Sequence, residues 1–243
     1  MADDPTHRDP AAGRVVLVTG AGSGIGRATA GRLAADGWRL ALLGRTRATL
    51  EATAAALPES ASPLILVADL ADDEACRSAI SRIVEHFGRL DAIVNNAGVA
   101  PQVQIGETDA TLVRETLDRN LVGPIVLVAT AWPELTARRG RVVNVSSMAS
   151  LDPFRGFTAY AASKAGLDSL TRSIMAEADD TGVTAFTINP GIVETPLLRK
   201  LFDEATVPPS MALAPARIAD EIAACLAGTC DDRAGRTHPV VPD

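Results

Sequence analysis

The chain has 243 residues, a length that suits one α/β domain. Hydrophobic residues make up 47% and charged residues 22%, so a sizeable core can be buried. The net charge of −7 argues against nucleic acid or an anionic membrane surface as a partner. We expect a cytoplasmic protein, because no apolar run reaches the ~18 residues of a membrane span and the N-terminus lacks a signal peptide's apolar segment.

Short apolar segments alternate along the chain with longer stretches of helical periodicity. The predicted strands are 15–19, 40–43, 64–67, 92–94, 142–145, 183–188 and 239–241, and the predicted helices are 25–36, 47–57, 72–87, 109–138, 159–180 and 215–228. Most of the strands are continuous runs of Val, Ile and Leu, which is typical of parallel strands buried on both faces. The sequence therefore predicts a Rossmann-like, doubly wound parallel sheet of about seven strands, with helices on both faces in three α/β/α layers.

The organisation indicates one domain over residues 14–243, preceded by a disordered arm over residues 1–13. Two prolines, Pro124 and Pro133, are expected to divide the 109–138 stretch into two helices. A proline-containing segment, 194–214, is too long for an ordinary connection, so we expect it to act as a substrate loop or lid.

The three cysteines are Cys76, Cys225 and Cys230. They are few and odd in number, so we expect reduced thiols. No Cys/His group has the spacing of a metal site, and no metal is expected.

A glycine-rich turn, TGAGSGIG at 19–26, joins the first predicted strand to the first predicted helix. Glycines let the backbone approach a pyrophosphate, and the helix N-terminus offers free N–H groups to it. The spacing is G-x-x-x-G-x-G rather than the commoner G-x-G-x-x-G. The turn predicts a dinucleotide site formed by Gly20, Gly22, Ser23, Gly24, Ile25 and Gly26.

The run YAASK places Tyr160 four residues before Lys164, on one face of a predicted helix. A phenol normally titrates near pH ~10, and a fixed cation beside it should lower that pKa. The pair therefore predicts a general acid or base that works near neutrality.

Together with NNAG (95–98), Asn120, NVSS (144–147) and PGIVETP (190–196), these motifs resemble the short-chain dehydrogenases/reductases in order and spacing. The resemblance is strongest over residues 14–195. It implies that Tyr160 is the general acid or base and that Lys164 lowers its pKa and holds the nicotinamide ribose. It also implies that Ser147 binds the substrate oxygen and that Asn120 fixes a water leading to Lys164.

The same resemblance assigns the remaining cofactor contacts by position. Asp69, with Leu70 beside it, would lie at the adenine, and Asn96, Ala97 and Gly98 would lie at the adenosine ribose. The nicotinamide carboxamide would contact Pro190, Gly191, Ile192 and Thr195, and Tyr160 and Lys164 would also touch the cofactor.

The second predicted strand ends in Gly44 and Arg45, at the place where NAD-selective sites usually carry an acid. Without that carboxylate, and with Arg45 able to bind a 2′-phosphate, the sequence favours NADP(H) over NAD(H).

We expect the substrate to be a small carbonyl compound or alcohol. Apolar residues surround its expected place and favour a neutral, hydrophobic molecule. They are Met148, Ala149, Leu151, Phe154, Phe157, Ile192, Leu197, Leu198 and Phe202. Arg155 or Arg199 could still reach an anionic tail. Two alternatives stay open: an NAD-dependent alcohol or steroid dehydrogenase, and a catalytically silent protein that senses the cofactor. The resemblance implies a homodimer or homotetramer.

Overall fold

A computed structural model describes residues 13–242. Its strands are β1 (Val15–Thr19), β2 (Arg39–Gly44), β3 (Leu64–Val67), β4 (Ala92–Asn95), β5 (Arg141–Val145), β6 (Thr184–Pro190) and β7 (Pro239–Val240). Its α-helices are α1 (Gly24–Ala35), α2 (Arg47–Ala55), α3 (Asp73–Phe87), α4 (Ala110–Leu117), α5 (Gly123–Arg138), α6 (Thr158–Ala176), α7 (Ala178–Thr181), α8 (Pro196–Leu201) and α9 (Pro215–Ala227).

The strands form one parallel sheet in the order β3-β2-β1-β4-β5-β6-β7. The order reverses direction after β1, so the crevice between the carboxyl ends of β1 and β4 is the place where such sheets bind ligands. The predicted doubly wound sheet is confirmed.

Each face of the sheet has its own apolar core, because side chains alternate between faces along a strand. In β1, Val16 and Val18 join the core that α1 and α9 cover. Val15 and Leu17 join the opposite core, with α3 and α5. Burial on both faces explains why the strand sequences do not alternate with polar residues.

The predicted division of the 109–138 stretch into two helices is confirmed, but the break does not lie at a proline. The break is a π-helical turn over residues 118–122, between α4 and α5, and Pro124 follows it near the start of α5. Pro133 lies inside α5 without ending it, so the expected break there was wrong. Leu127, Ala131 and Leu135 bury this helix in the core, and that packing offsets the local cost of the proline.

Other boundaries differ modestly. The 159–180 helix stops at Ala176, and a single further turn, α7, follows. The 194–214 segment contains α8 and a 3₁₀ turn over residues 209–211. The expected N-terminal arm lies outside the described residues, except for Gly13. Within residues 13–242, no helix combines the length and apolarity needed to cross a bilayer.

Candidate active site

A cavity of about 940 Å³ opens at the carboxyl edge of the sheet, where the ends of all seven strands meet. It is lined by the β1–α1 turn, the segments after β2, β3, β4 and β5, and the chain on both sides of α8. The catalytic and cofactor residues expected from the sequence line this cavity with three exceptions, which are Gly22, Gly26 and Asn120.

The two glycines outside the cavity shape the turn that lines it. A Cβ atom at Gly26 would lie 2.3 Å from the Gly20 carbonyl oxygen, and one at Gly22 would lie 2.4 Å from Thr49 Oγ1. Gly20 and Gly24 have φ of +66° and +51°, the left-handed region that favours glycine. The turn therefore needs glycine at these positions, which leaves the N-terminus of α1 open toward the cavity.

The turn is tied to the end of β4 through Thr19. Its Oγ1 accepts hydrogen bonds from the backbone nitrogens of Asn96 (2.9 Å) and Ala97 (3.0 Å), and Asn96 Nδ2 donates to the Thr19 carbonyl at 2.8 Å. Asn96, Ala97 and Gly98 line the cavity. Asn95 instead points into the sheet, where its Nδ2 donates to Asn144 Oδ1 at 2.9 Å.

Three side chains from two elements converge at the end of β5. The Tyr160 hydroxyl is hydrogen-bonded to the Ser147 side chain. Lys164, on the same face of α6, is only 3% exposed, and its Nζ lies 5.7 Å from the Tyr160 ring centre. The same Nζ donates to the Val145 carbonyl at 2.7 Å, so the end of β5 holds both the lysine and the serine.

The expected low pKa of Tyr160 was wrong for the chain as it stands. Burial raises the pKa of Tyr160 above its usual value, and the hydrogen bond with Ser147 opposes that change only in part. Burial also lowers the pKa of Lys164 to about 8, against the opposing charge of Asp168. Desolvation therefore dominates the pKa of Tyr160, which the sequence argument had linked to the nearby cation, and Tyr160 is a protonated phenol at neutral pH.

Asn120 is fully buried in the π-helical turn and clamps the segment after β4. Its Oδ1 accepts from Val99 N, and its Nδ2 donates to Val99 O, both at 2.8 Å, and to Ser163 Oγ at 3.0 Å. A Cβ at Gly98 would lie 3.3 Å from Asn120 Oδ1 and 3.6 Å from Lys164 Nζ. Asn120 thus lies beside Lys164, and its side-chain amide is hydrogen-bonded to Val99 and Ser163.

Asp69 and two arginines line the opposite end of the cavity, near the ends of β2 and β3. The Arg119 guanidinium contacts both carboxylate oxygens of Asp69 at 3.2 Å. Burial acts to raise the pKa of Asp69, but the backbone N–H of Ala71 and the Arg119 guanidinium together hold it below its usual value. Arg45 is exposed and makes no ion pair with any described residue. Among the described residues, this end therefore keeps one arginine outside any ion pair, and its charge also helps to lower the pKa of Asp69.

The 190–195 segment closes over the glycine turn. A Cβ at Gly24 would lie 3.0 Å from Thr195 Cγ2, and Thr195 Oγ1 caps α8 by accepting from Leu198 N at 3.2 Å. The Gly191 N–H donates to Val240 O at 2.8 Å. The cofactor residues predicted from this segment, Pro190, Gly191, Ile192 and Thr195, all line the cavity.

The cavity is mainly apolar beside Tyr160. Of the predicted substrate-lining residues, Met148, Phe154, Phe157, Ile192, Leu197, Leu198 and Phe202 line it. Ala149 is buried in the core and Leu151 faces solvent, so neither does. The sequence did not indicate Leu201, Val207 or Met211, which also lie in this wall.

One side of this wall is a closed loop over residues 193–213. Its ends meet in a β-bridge between Val193 and Leu213. Within the loop, the Arg199 guanidinium contacts Glu194 and donates a hydrogen bond to Val207 O at 2.8 Å. Arg199 does not line the cavity, so the expectation that it could reach an anionic substrate was wrong. Arg155 does line it, and donates to Gln104 Oε1 at 2.9 Å.

Sequence reasoning missed Arg119 and Thr19. Arg119 meets a carboxylate fifty positions earlier in the chain, and no local pattern signals such a pair. Thr19 stands at the end of an apolar strand, where a threonine hydroxyl commonly hydrogen-bonds only to nearby backbone groups of its own turn.

Comparison with known proteins agrees with this geometry. The model of the short chain dehydrogenase family matches residues 14–206. The chain belongs to the short-chain dehydrogenase family.

Its relatives are oxidoreductases by name. The chain is 37% identical to 11-beta-hydroxysteroid dehydrogenase A of Sesamum indicum over 80% of its own length and 56% of that protein. It is 38% identical to the granaticin polyketide synthase putative ketoacyl reductase 2 of Streptomyces violaceoruber, over 75% of this chain and 74% of that one. The crystal structure of levodione reductase superposes with a TM-score of 0.87 at 29% identity, covering 95% of this chain and 96% of that chain. The family assignment makes this chain an oxidoreductase of the short-chain type.

The residues present fit a nicotinamide dinucleotide. The glycine turn offers backbone that a side chain would block, and Cβ atoms at Gly20, Gly24 and Gly26 would lie 3.0 Å or less from neighbouring atoms. The cavity runs from that turn to Tyr160 without interruption and takes in both Arg45 and Thr195. A pyrophosphate fits the turn because the N–H groups of α1 point to it.

Proposed function

We propose that this protein is an NADP(H)-dependent oxidoreductase that interconverts a carbonyl compound and a secondary alcohol, with Tyr160 as the general acid or base. The observation that carries the proposal is the meeting of the Tyr160 hydroxyl, the Ser147 side chain and the Lys164 ammonium at one end of the cavity that the glycine turn opens. A bound nicotinamide would supply the hydride.

The proton chemistry follows from burial. In the reducing direction, the protonated Tyr160 phenol gives its proton to the carbonyl oxygen, and Ser147 hydrogen-bonds the same oxygen. Lys164, whose pKa burial lowers to about 8, stays largely protonated at pH 7. Its charge stabilises the phenolate that remains. In the oxidising direction, the same phenolate accepts the alcohol proton.

The preference for NADP(H) is proposed on the charges at the adenosine end. Arg45 is the cation there without a carboxylate partner among the described residues, since Asp69 holds Arg119. A hydrogen bond to a charged group contributes about 1.5–3 kcal/mol, which corresponds to a preference of about 10–150-fold.

The substrate is proposed to be neutral and hydrophobic. The wall around Tyr160 is built from aromatic and aliphatic side chains, and the Arg199 guanidinium is committed to Glu194 and Val207. An apolar wall with a few convergent polar groups is the usual form of a small-molecule site.

The test is loss of the reduced-nicotinamide absorbance band with NADPH or NADH and a panel of neutral ketones and aldehydes. We expect turnover with NADPH to exceed that with NADH. Arg45→Ala should erase the difference, and Arg47→Ala is the matched control because Arg47 is an exposed neighbour paired with Glu51 at 3.6 Å. Unchanged selectivity in Arg45→Ala would contradict the NADP(H) assignment. Tight NADPH binding without turnover on any substrate would favour the cofactor-sensing alternative.

A homodimer or homotetramer is also proposed. Val122, the last residue of the π-helical turn, and Ile125, in the first turn of α5, are 37% and 41% exposed, and exposed apolar side chains on this face suit a second copy. Light scattering on the purified protein tests the assembly, and a monomeric mass at micromolar concentration would count against it.

A further inference from the structure

Asp168 is a buried carboxylate with no role in the chemistry described so far. It is 4% exposed and stands on α6 four residues after Lys164 and eight after Tyr160, on the same face of the helix. A buried charge without compensation is expensive, and no Arg, Lys or His lies within ion-pair distance of it among residues 13–242. Helix α6 therefore carries, one turn beyond Lys164, a buried acid whose energetic cost calls for a physical reason.

Its hydrogen-bond donor is Asn189, the residue before Pro190 at the end of β6. Asn189 Nδ2 lies 3.3 and 3.4 Å from the two carboxylate oxygens. The same amide donates to Ser150 Oγ at 3.0 Å and lies 3.4 Å from the Ser147 carbonyl oxygen. Its Oδ1 accepts from the backbone N–H of His238 at 2.9 Å, and that donor fixes which end of the amide carries the oxygen.

One amide therefore joins the helix that carries Tyr160 and Lys164 to the turn that carries Ser147. The carboxylate also acts on Lys164 by charge: burial lowers the pKa of that lysine, and Asp168 raises it. Lys164 itself donates to Val145, so the two charges attract through space rather than through a direct contact.

We propose that Asp168, held by Asn189, is a positioning residue that keeps the buried Lys164 ammonium charged and fixes it relative to the Ser147 turn. The inference deepens the proposed function and rests on it for its catalytic meaning. Among the described residues, Asp168 is the one charged group that raises the pKa of Lys164. Asp168 faces Lys164 from its own helix, the polar groups of Asn189, Ser147 and Ser150 face it from β6 and the turn after β5, and the His238 imidazole turns away to Glu221 at 3.2 Å.

The chain offers a direct test because it contains only two lysines, Lys164 and Lys200. Protein labelled with ¹³C at lysine Cε gives two side-chain signals, and Lys200→Arg assigns them. We expect the Lys164 signal to titrate near pH 8, and its midpoint to fall by about one pH unit or more in Asp168→Asn, the usual size of the effect of one nearby charge. Asp179→Asn, an exposed carboxylate on α7, is the matched control and should leave the midpoint in place.

A midpoint that coincides in Asp168→Asn and the unsubstituted protein would overturn the proposal. Should Asp168→Asn not fold, Asn189→Ala carries the same test. This variant removes the amide that holds the Asp168 carboxylate. The carboxylate is then no longer fixed beside Lys164, so the Lys164 midpoint should again fall, and an unmoved midpoint overturns the proposal equally.

The titration uses neither cofactor nor substrate, which separates the two ideas. Absence of turnover in the unsubstituted protein refutes the proposed function while the Lys164 midpoint still decides the role of Asp168. In active enzyme, the alkaline limb of kcat/KM should move to lower pH in Asp168→Asn. Asp168→Glu, which restores the charge, should move it back, whereas a merely structural role would lower activity at every pH alike.

Discussion

Gly26→Ala is the substitution for which the structure predicts the clearest effect on the cofactor turn. The new Cβ would lie 2.3 Å from the Gly20 carbonyl oxygen and 2.6 Å from Asn96 Nδ2. Relief to 3.0 Å, the closest approach that real Cβ atoms show, requires a displacement of at least 0.7 Å, the difference between 3.0 and 2.3 Å. The atoms that must move are the backbone of the turn and a side chain that lines the cavity, so stability and cofactor affinity should fall together.

The magnitude follows from two opposing terms. Alanine in a helix is favoured over glycine by about 0.5–1 kcal/mol, while overpacking of a tight site costs about 1–3 kcal/mol. The two terms differ by about 0–2.5 kcal/mol, and a clash with backbone favours the upper part of that range. We expect Gly26→Ala to lower the free energy of unfolding by about 1–2.5 kcal/mol, or the Tm by about 2–10 °C for a chain of this size. Displacement of the turn should weaken NADPH binding at least tenfold, since one hydrogen bond to a charged phosphate contributes about 1.5–3 kcal/mol.

Gly31→Ala is the matched control, because Gly31 lies in the same helix and the Cβ that alanine adds would have no neighbouring atom within 4 Å. It should raise the free energy of unfolding by about 0.5–1 kcal/mol and leave NADPH binding unchanged. Urea unfolding and fluorescence titration with NADPH measure both quantities. If the two variants behaved alike in both assays, the argument that Gly26 permits the close approach of Gly20 would be refuted.

Three other substitutions test separate parts of the site. Tyr160→Phe should lower turnover by at least about 10²-fold with little change in NADPH affinity, and retained turnover in steady-state assays would remove Tyr160 from the proton transfer. Lys164→Met tests linkage. The folded pKa of Lys164, about 8, lies below its ordinary 10.5, so the unfolded chain binds more protons between these values, and stability should rise with pH. Urea unfolding gives the free energy of unfolding of the unsubstituted protein and of Lys164→Met. The first minus the second should therefore grow by about 2–3 kcal/mol between neutral pH and the ordinary pKa of lysine. A constant difference would mean that the lysine is not desolvated. Arg199→Gln should speed amide hydrogen exchange in 194–213 and leave α1 unchanged, because it removes the contacts with Glu194 and Val207; equal exchange in both proteins would show that Arg199 does not hold the loop.

Local patterns in the sequence determined the architecture and the place of the chemistry. Unbroken apolar strands could only belong to a sheet buried on both faces, and a glycine turn after the first of them marked the edge where ligands bind. The four-residue spacing of Tyr160 and Lys164 placed both on one helical face whatever the rest of the chain did.

Only the tertiary structure decided the electrostatics of the site and the use of its polar side chains. Adjacent charges suggested a low pKa for Tyr160, but that pKa depends on solvent exposure, and burial raises it. The sequence suggested that Arg199 could reach a substrate and did not single out Arg119, whereas the folded chain pairs these residues with Glu194 and Asp69. Asp168 gave no sign of its contact with Asn189, because the partners lie on a helix and a strand that meet only when the sheet forms. Spacing along a helix is a local property, whereas desolvation and long-range pairing are properties of the packed whole.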